Sequence, residues 1–362
     1  MKLKAILRFP WLHSTKSGRE PDRTRGFKKY HNYIAYPATA LVIFIAAIVS
    51  WWIMIKVPGK SFNGPLPPLT KEEMRLRGEI KAVVDKLGQE IGERNVFRPR
   101  ALDATVHYLE DCLTAAGYQM EHQEYEAEDE LCHNLITEIH GSEHPGEILL
   151  IGAHYDSVYG SPGANDNGTG VAAVITLARM FSGRKLPRTL RFALFVNEEP
   201  PFFQTARMGS LLYAKRCRER NENIIAVLIP ETIGCYRDEP GSQDYPFPLS
   251  FFYPDRGNFI TFVGDTSSRR LVFRAVESFR RQVKFPSEGA ALPALIPGVG
   301  WSDHWAFWQA GYPAIMVTDT APYRYPFYHT GQDTPDKIDY DRTARVVFGL
   351  GKIIDDLIHN GI

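Results

Sequence analysis

The chain has 362 residues, 44% hydrophobic and 23% charged, with 29 Gly and 25 Pro. These proportions sit near globular averages and exclude a disordered, collagen-like or coiled-coil protein. Lys plus Arg and Asp plus Glu both total 42, yet residues 1–33 hold nine basic residues against Glu20 and Asp22, a net of +7 that leaves −7 for the rest. The main body lacks the basic face that nucleic-acid binding needs, so no nucleic-acid partner is expected.

In chain order, residues 1–33 form a basic tail, followed by 22 uncharged residues from Ile34 to Ile55, bounded by Lys28-Lys29 and Lys56. As a helix this run would span about 33 Å at 1.5 Å per residue, enough to cross a bilayer. A transmembrane helix over 34–55 is therefore expected, with the lipid bilayer as a partner. Its basic flank puts residues 1–33 in the cytoplasm and the rest on the extracytoplasmic side, periplasmic or extracellular. A cleaved signal peptide fits less well, because the run starts only after 33 residues and no small-x-small cleavage site stands near Trp51. Residues 56–69, with Pro58, Pro65, Pro67 and Pro68, read as an extended linker that lifts the domain off the bilayer.

Residues 70–362 read as one domain. Thr70 and Glu73 form a capping-box signature ahead of a helix carrying Met74, Ile80, Val83, Val84 and Leu87, and a second helix covers Leu102–Ala115. Apolar strand-like runs follow at Asn134–Ile139, Ile148–Ala153, Leu190–Val196, Ile224–Ile229 and Ala314–Val317. Helical patterns separate them at Gly170–Met180, Ser210–Arg218, Arg269–Val283 and Arg342–Leu357. This alternation predicts an α/β fold: a mixed, mostly parallel, doubly wound sheet flanked by helices. Cys112, Cys132, Cys217 and Cys235 have no C-x-x-C spacing, and buried thiols are expected in preference to a Cys112–Cys132 bridge.

Five clusters stand at the ends of predicted strands, where open α/β sheets place their sites: His154-Tyr155-Asp156, Asn165-Asp166-Asn167-Gly168-Thr169-Gly170, Asn197-Glu198-Glu199, Glu231-Thr232-Ile233-Gly234 and Tyr328-His329-Thr330. In a strand His154 and Asp156 share a face, so Asp156 can fix the imidazole from behind while the other nitrogen meets a metal. Asp166 sits in a turn ahead of a helix, where a plain N-cap is the alternative role. Glu198 and Glu199 would point to opposite faces of a regular strand, but Pro200-Pro201 ends it and lets both turn into one pocket. Ser302-Asp303-His304 imitates hydrolase residues, but a triad is not built from neighbours in sequence, so a supporting role is expected. His107, His122, His133, His140 and His144 have no partner cluster in sequence and are expected to be surface or structural residues.

Over Asn134–Leu357 these motifs, in this order, resemble the co-catalytic zinc aminopeptidases of metallopeptidase family 28, whose relatives include glutaminyl cyclases and receptor ectodomains. The resemblance implies an exopeptidase, an aminopeptidase first of all, with two Zn²⁺ ions per chain and a peptide substrate; the apolar run makes it a membrane-anchored member, and the scarcity of sequons a bacterial-type one. It implies His154 and Glu231 as ligands of one ion, Glu199 and His329 of the other, Asp166 bridging both, and Glu198 as general base. Paired zincs polarise the scissile carbonyl and make hydroxide available near neutral pH, and a glutamate relays the proton to the leaving amine. Alternatives are a one-zinc, glutaminyl-cyclase-like acyltransferase and a non-catalytic ectodomain of the same fold.

The segment between Glu199 and Gly209 is longer than in the plainest family members and is expected at the rim of the cleft. The one N-x-Ser/Thr sequon, Asn167-Gly168-Thr169, lies inside the metal loop, where a glycan would block the site. Oligomeric state and substrate side chain are left open.

Overall fold

The computed structural model describes the backbone from residue 23 onward and the side chains of residue 36 and of residues 39–362. Most of the basic tail expected over 1–33 lies outside the described residues. The chain divides into two units, Met1–Trp51 and Trp52–Ile362. Helix α1, Arg23–Met54, makes up the described part of the first as far as Trp51 and exposes Leu41, Val42, Ile43, Phe44, Ile45, Ile48 and Val49. Among the described residues no helix is long and apolar enough to cross a membrane, so the spanning segment expected over 34–55 is not reproduced there. Residues 34, 35, 37 and 38 of that segment lie outside the residues whose side chains are described.

The second unit carries an eight-stranded sheet made of β1 (Glu121–Ala127), β2 (Glu130–Ile139), β3 (His144–His154), β4 (Arg188–Phe195), β5 (Asn223–Glu231), β6 (Ile260–Gly264), β7 (Ser287–Ala291) and β8 (Ala314–Thr318). Their order is β1-β2-β4-β3-β5-β8-β6-β7. Strands β4, β3, β5 and β8 run parallel, as do β6 and β7, while β1/β2, β2/β4 and β6/β8 pair antiparallel. The sheet is thus mixed, as the alternation of elements predicts.

Period-two alternation divides the buried strands between two cores. Leu149, Ile151, Leu190, Phe192, Leu194, Ala226 and Leu228 face one side with α2 (Lys71–Asp85), α3 (Pro99–Ala115), α4 (Gly168–Phe181), α6 (Arg269–Gln282) and α8 (Tyr340–Asn360). Their neighbours Ile148, Leu150, Ala193, Phe195, Val227 and Ile229 face the other, where α5 (Gly209–Glu219) adds Tyr213 and Cys217 and the short α7 (His304–Gln309) adds Phe307. Helices on both faces explain why the central strands read as continuous apolar runs. At Thr70 the capping box forms: its hydroxyl accepts from Glu73 N at 3.2 Å and Glu73 Oε2 accepts from Thr70 N at 2.7 Å. All four cysteines are buried and free.

Three strands and one helix are absent from the sequence-based set. β1 reads Glu-His-Gln-Glu-Tyr-Glu-Ala and buries only Ala127, β7 has no β-branched residue, β6 is five residues long, and α7 is a short turn of helix. The segment 56–69 is extended as expected, but it is pinned to the domain along its length. Arg280 Nη1 donates to Pro58 O at 2.9 Å and Gly59 O at 3.1 Å, Ser61 Oγ accepts from Ser287 N at 2.9 Å, and Arg345 donates to Pro67 O. Val57 and Leu66 pack on the larger core. A chain starting at residue 70 would orphan these donors and bare that apolar surface. It should melt roughly 5–10 °C below one starting at residue 52, taking about 3–5 kcal/mol for the lost burial and hydrogen bonds and about 2 °C per kcal/mol. Calorimetry of the two proteins checks this, and equal midpoints would contradict it.

Candidate metal centre

Because β4, β3, β5 and β8 run parallel, their carboxyl ends meet at one edge of the sheet. His154 is the last residue of β3 and Glu231 the last of β5. Glu198 and Glu199 follow β4, Asp166 lies in the loop before α4, and His329 lies in the loop after β8. The sequence-predicted residues therefore converge. His154 Nε2 stands 3.5 Å from Asp166 Oδ1 and 3.2 Å from Glu231 Oε2, while His329 Nε2 stands 3.0 Å from Asp166 Oδ2 and 3.2 Å from Glu199 Oε2. Asp166 faces a histidine with each of its two oxygens. Glu198 Oε2 is 3.9 Å from His154 Nε2, beside the ligand cluster.

Local chemistry explains each position. Asn197 adopts a left-handed φ of 60° after β4 ends, and the next two amides turn onto Asp156, whose Oδ1 accepts from Glu198 N and Oδ2 from Glu199 N, both at 3.2 Å. The proline pair after Glu199 is thus not the main cause of the turn; Asp156 is. The same carboxylate stands 3.5 Å from His154 Nδ1, and Asp156 O lies 3.2 Å from that nitrogen. Glu199 Oε1 accepts from Val158 N at 3.1 Å. Glu231 Oε2 accepts from Asn167 Nδ2 at 3.0 Å and Ser302 Oγ at 2.7 Å. Gly170 is required where α4 begins, since a Cβ there would lie 2.2 Å from Asn167 Oδ1 and 2.3 Å from Pro230 O.

Asp156, Asp166, Glu198, Glu199, Glu231 and Asp303 are all buried, and among the described residues none is ion-paired with Lys or Arg. Burial pushes the carboxyl of Glu199 up to about 7, that of Glu231 up to about 8, and that of Glu198 well above the usual range. For the histidines burial acts in the opposite direction and is outweighed: Glu231 and Glu198 hold His154 protonated well above its ordinary value, and Asp166 and Glu199 push His329 up to about 10. Such a concentration of buried anionic groups is costly without a cation among them. Asp166 Oδ2 is in addition buried without a hydrogen-bond donor. Two imidazoles with three carboxylates at these distances fit zinc, which takes nitrogen and oxygen donors.

The family model of Peptidase family M28 matches residues 134–353. The chain belongs to peptidase family M28. It is accordingly an enzyme, a metallopeptidase. The uncharacterised protein YfbL of Escherichia coli K12 is 33% identical over 282 residues, 75% of this chain and 85% of YfbL. Among solved structures, a zinc aminopeptidase from Bacillus subtilis superposes with a TM-score of 0.64 at 12% identity over 78% of this chain and 95% of its own. A glutaminyl cyclase from Fimbriiglobus ruber superposes with a TM-score of 0.58 at 20% identity over 83% and 99%. At these identities the structural matches speak for the fold.

The M28 site also depends on residues that sequence reasoning did not single out. Asp333 Oδ1 accepts from Asn165 N at 2.8 Å and Tyr325 OH at 2.7 Å, and its Oδ2 accepts from Asp166 N at 3.0 Å. Asp319 Oδ2 accepts from Asn165 Nδ2 at 3.0 Å and Cys235 N at 2.7 Å. Asp333 stands four residues after His329, the one hint that the sequence offers. Ser302-Asp303-His304 is indeed support: Ser302 holds Glu231, and buried His304 meets Val299 O at 2.7 Å, its pKa pushed down to about 4 by burial. The segment 200–208 packs against the 300–306 turn, with Gln204 Nε2 donating to Gly300 O at 3.2 Å and with Phe203 and Trp305 packed on the same small apolar cluster. His122 and His133, expected to lack partners, lie together across β1 and β2.

Two effects follow from this support. Asp333→Ala frees the amides of Asn165 and Asp166 and should weaken zinc binding about 10- to 100-fold, the usual cost of losing a group that orients a ligand. His329→Ala should lower zinc content outright. Competition with a chromophoric chelator reads both, and unchanged affinity in either variant would contradict the assignment.

Proposed function

We propose that this M28 peptidase is a membrane-anchored aminopeptidase that works with two zinc ions. The reading is carried by Asp166, whose oxygens serve two histidine–carboxylate halves at once. His154, Asp166 and Glu231 would hold one ion; His329, Asp166 and Glu199 would hold the other. When bound, the zinc pair supplies Lewis acidity toward the scissile carbonyl and makes hydroxide available near neutral pH. Glu198, buried and paired with no lysine or arginine among the described residues, takes a proton from the attacking water and delivers it to the leaving amine. Its raised pKa suits that exchange.

A recess, part of it open to solvent, adjoins Glu231 and Tyr328 and is walled by Tyr253, Phe259, Leu292 and Met316. No lysine or arginine lines it. Its chemistry suits a large apolar side chain, and Trp301 at its wall stacks on Tyr323 with ring centroids 6.5 Å apart. Residues 34–55 anchor the chain with the N-terminus cytoplasmic and the peptidase unit outside the cytoplasm. The uncharged run, the basic tail and the exposed apolar side chains of α1 support that part of the reading.

The full chain in detergent tests the proposal through bound zinc per chain and turnover of aminoacyl anilides. Two ions with hydrolysis is the expected result, with leucine and phenylalanine anilides favoured at least tenfold over aspartate, about 1–3 kcal/mol of pocket discrimination. One ion with cyclisation of N-terminal glutamine would replace it by the activity named for the Fimbriiglobus structure, and no zinc with no turnover would leave a binding domain. Glu198→Gln should keep its zinc and lose about 10²- to 10⁴-fold in kcat. Protease added outside sealed, oriented vesicles should remove the peptidase unit; full protection would overturn the topology.

A further inference from the structure

We propose a second, separate metal site on the β1–β2 hairpin, built from His122, His133 and Glu124, which takes a divalent transition ion such as zinc. In the hairpin register Glu124 lies directly opposite His133, and His122 is the diagonal neighbour of His133 on the same face. His122 Nδ1 and His133 Nδ1 face each other at 3.5 Å, and Glu124 Oε1 lies 3.8 Å from His133 Nδ1. One donor atom from each of the three residues falls within 4.8 Å of the others. Two nitrogens about 2.0–2.1 Å from one tetrahedral ion would be roughly 3.4 Å apart, close to the separation seen.

An independent contact prepares the pair for an ion. From α3, Glu110 Oε1 lies 2.7 Å from His122 Nε2, on the ring nitrogen that faces away from His133. A carboxylate accepts, so Nε2 carries the proton and Nδ1 presents its lone pair to His133. A carboxylate behind a histidine is the arrangement that fixes the tautomer of zinc ligands and raises their basicity. The rings meet edge to face, with centroids 5.5 Å apart, and do not stack.

Three protein donors leave a position for water, and the partial exposure of all three gives an ion access. Such an ion would tie the charged edge strand β1 to β2, with Glu110 joining α3 to the clamp. An edge strand with one buried residue has little apolar packing of its own, so the clamp would act where the sheet is weakest. The site is distinct from the catalytic centre but touches its frame: His133 O accepts from Tyr155 OH at 2.7 Å, and Tyr155 adjoins His154.

Equilibrium dialysis of the full chain against zinc, comparing the natural protein with a His122→Gln/His133→Gln double variant, tests the proposal. The double variant should hold one ion fewer than the natural protein, whatever number the catalytic centre holds. Its peptidase turnover should stay within twofold, and hydrogen exchange over residues 121–139 should slow with zinc only in the natural protein. Glu124→Gln, a change at an exposed position that spares both imidazoles, should weaken this ion about tenfold and guards against a double variant that fails to fold. Equal zinc content in the natural protein and in both variants would overturn the site and leave His122 and His133 sharing a proton.

Discussion

Everything in the centre depends on how one loop, residues 163–167, is held. It must present Asp166 to two histidines while carrying a buried negative charge. Three anchors fix it: Asp333 takes the amides of Asn165 and Asp166, Asp319 takes the Asn165 side chain, and Asn167 Nδ2 donates to Pro230 O. Beneath them Arg94, fully buried, donates to the carbonyls of Tyr155, Pro162 and Gly163 at 2.6, 2.5 and 2.8 Å. Burial pushes its guanidinium down to about 10, so it keeps its charge at neutral pH and faces the acidic cluster from behind. Arg94 thus offsets part of the field without entering the site, and its fork of donors satisfies a turn whose carbonyls would otherwise be buried and unpaired.

The same constraint explains why the centre lies where it does. Only the carboxyl ends of parallel strands bring several loops to one edge, and His154 and Glu231 are placed by strand ends while Asp166, Glu199 and His329 are placed by the loops between. The two halves of the site are not built alike. Glu231 is held by Asn167 and Ser302, and His154 is wholly buried; His329 sits at a left-handed φ of 57° on a loop with its side chain 31% exposed. The His154 half is the more deeply buried, and the His329 half is the more exposed to solvent.

How much of this was legible in the sequence follows from range. His-x-Asp, the acidic pair and the Asn-Asp-Asn loop are local patterns whose chemistry can be named from neighbours, and all of them converge. Asp333 and Ser302 act on residues 167 and 71 positions away, and nothing in their own surroundings reveals that. The central strands could be read because burial on both faces makes them uniformly apolar, whereas β1 is polar at nearly every position and holds its place through pairing with β2. The His122–His133 pair was invisible for the same reason: only the register of a strand that was itself hidden brings the two together.

Residues 56–69 show the reverse error, in which a correct local reading leads to the wrong mechanical one. Its four prolines do favour an extended segment, since proline lacks the N–H that helix and ladder hydrogen bonds need. Extension does not imply freedom. An extended segment leaves its carbonyls outward, and Arg280 and Arg345 use them as acceptors while Val57 and Leu66 pack on the larger core. Arg280 is the pivot, because it also donates to Ser287 Oγ at 3.1 Å and so ties the strap to the end of the sheet. What composition marks as a spacer is therefore part of the peptidase unit, held there by these bonds.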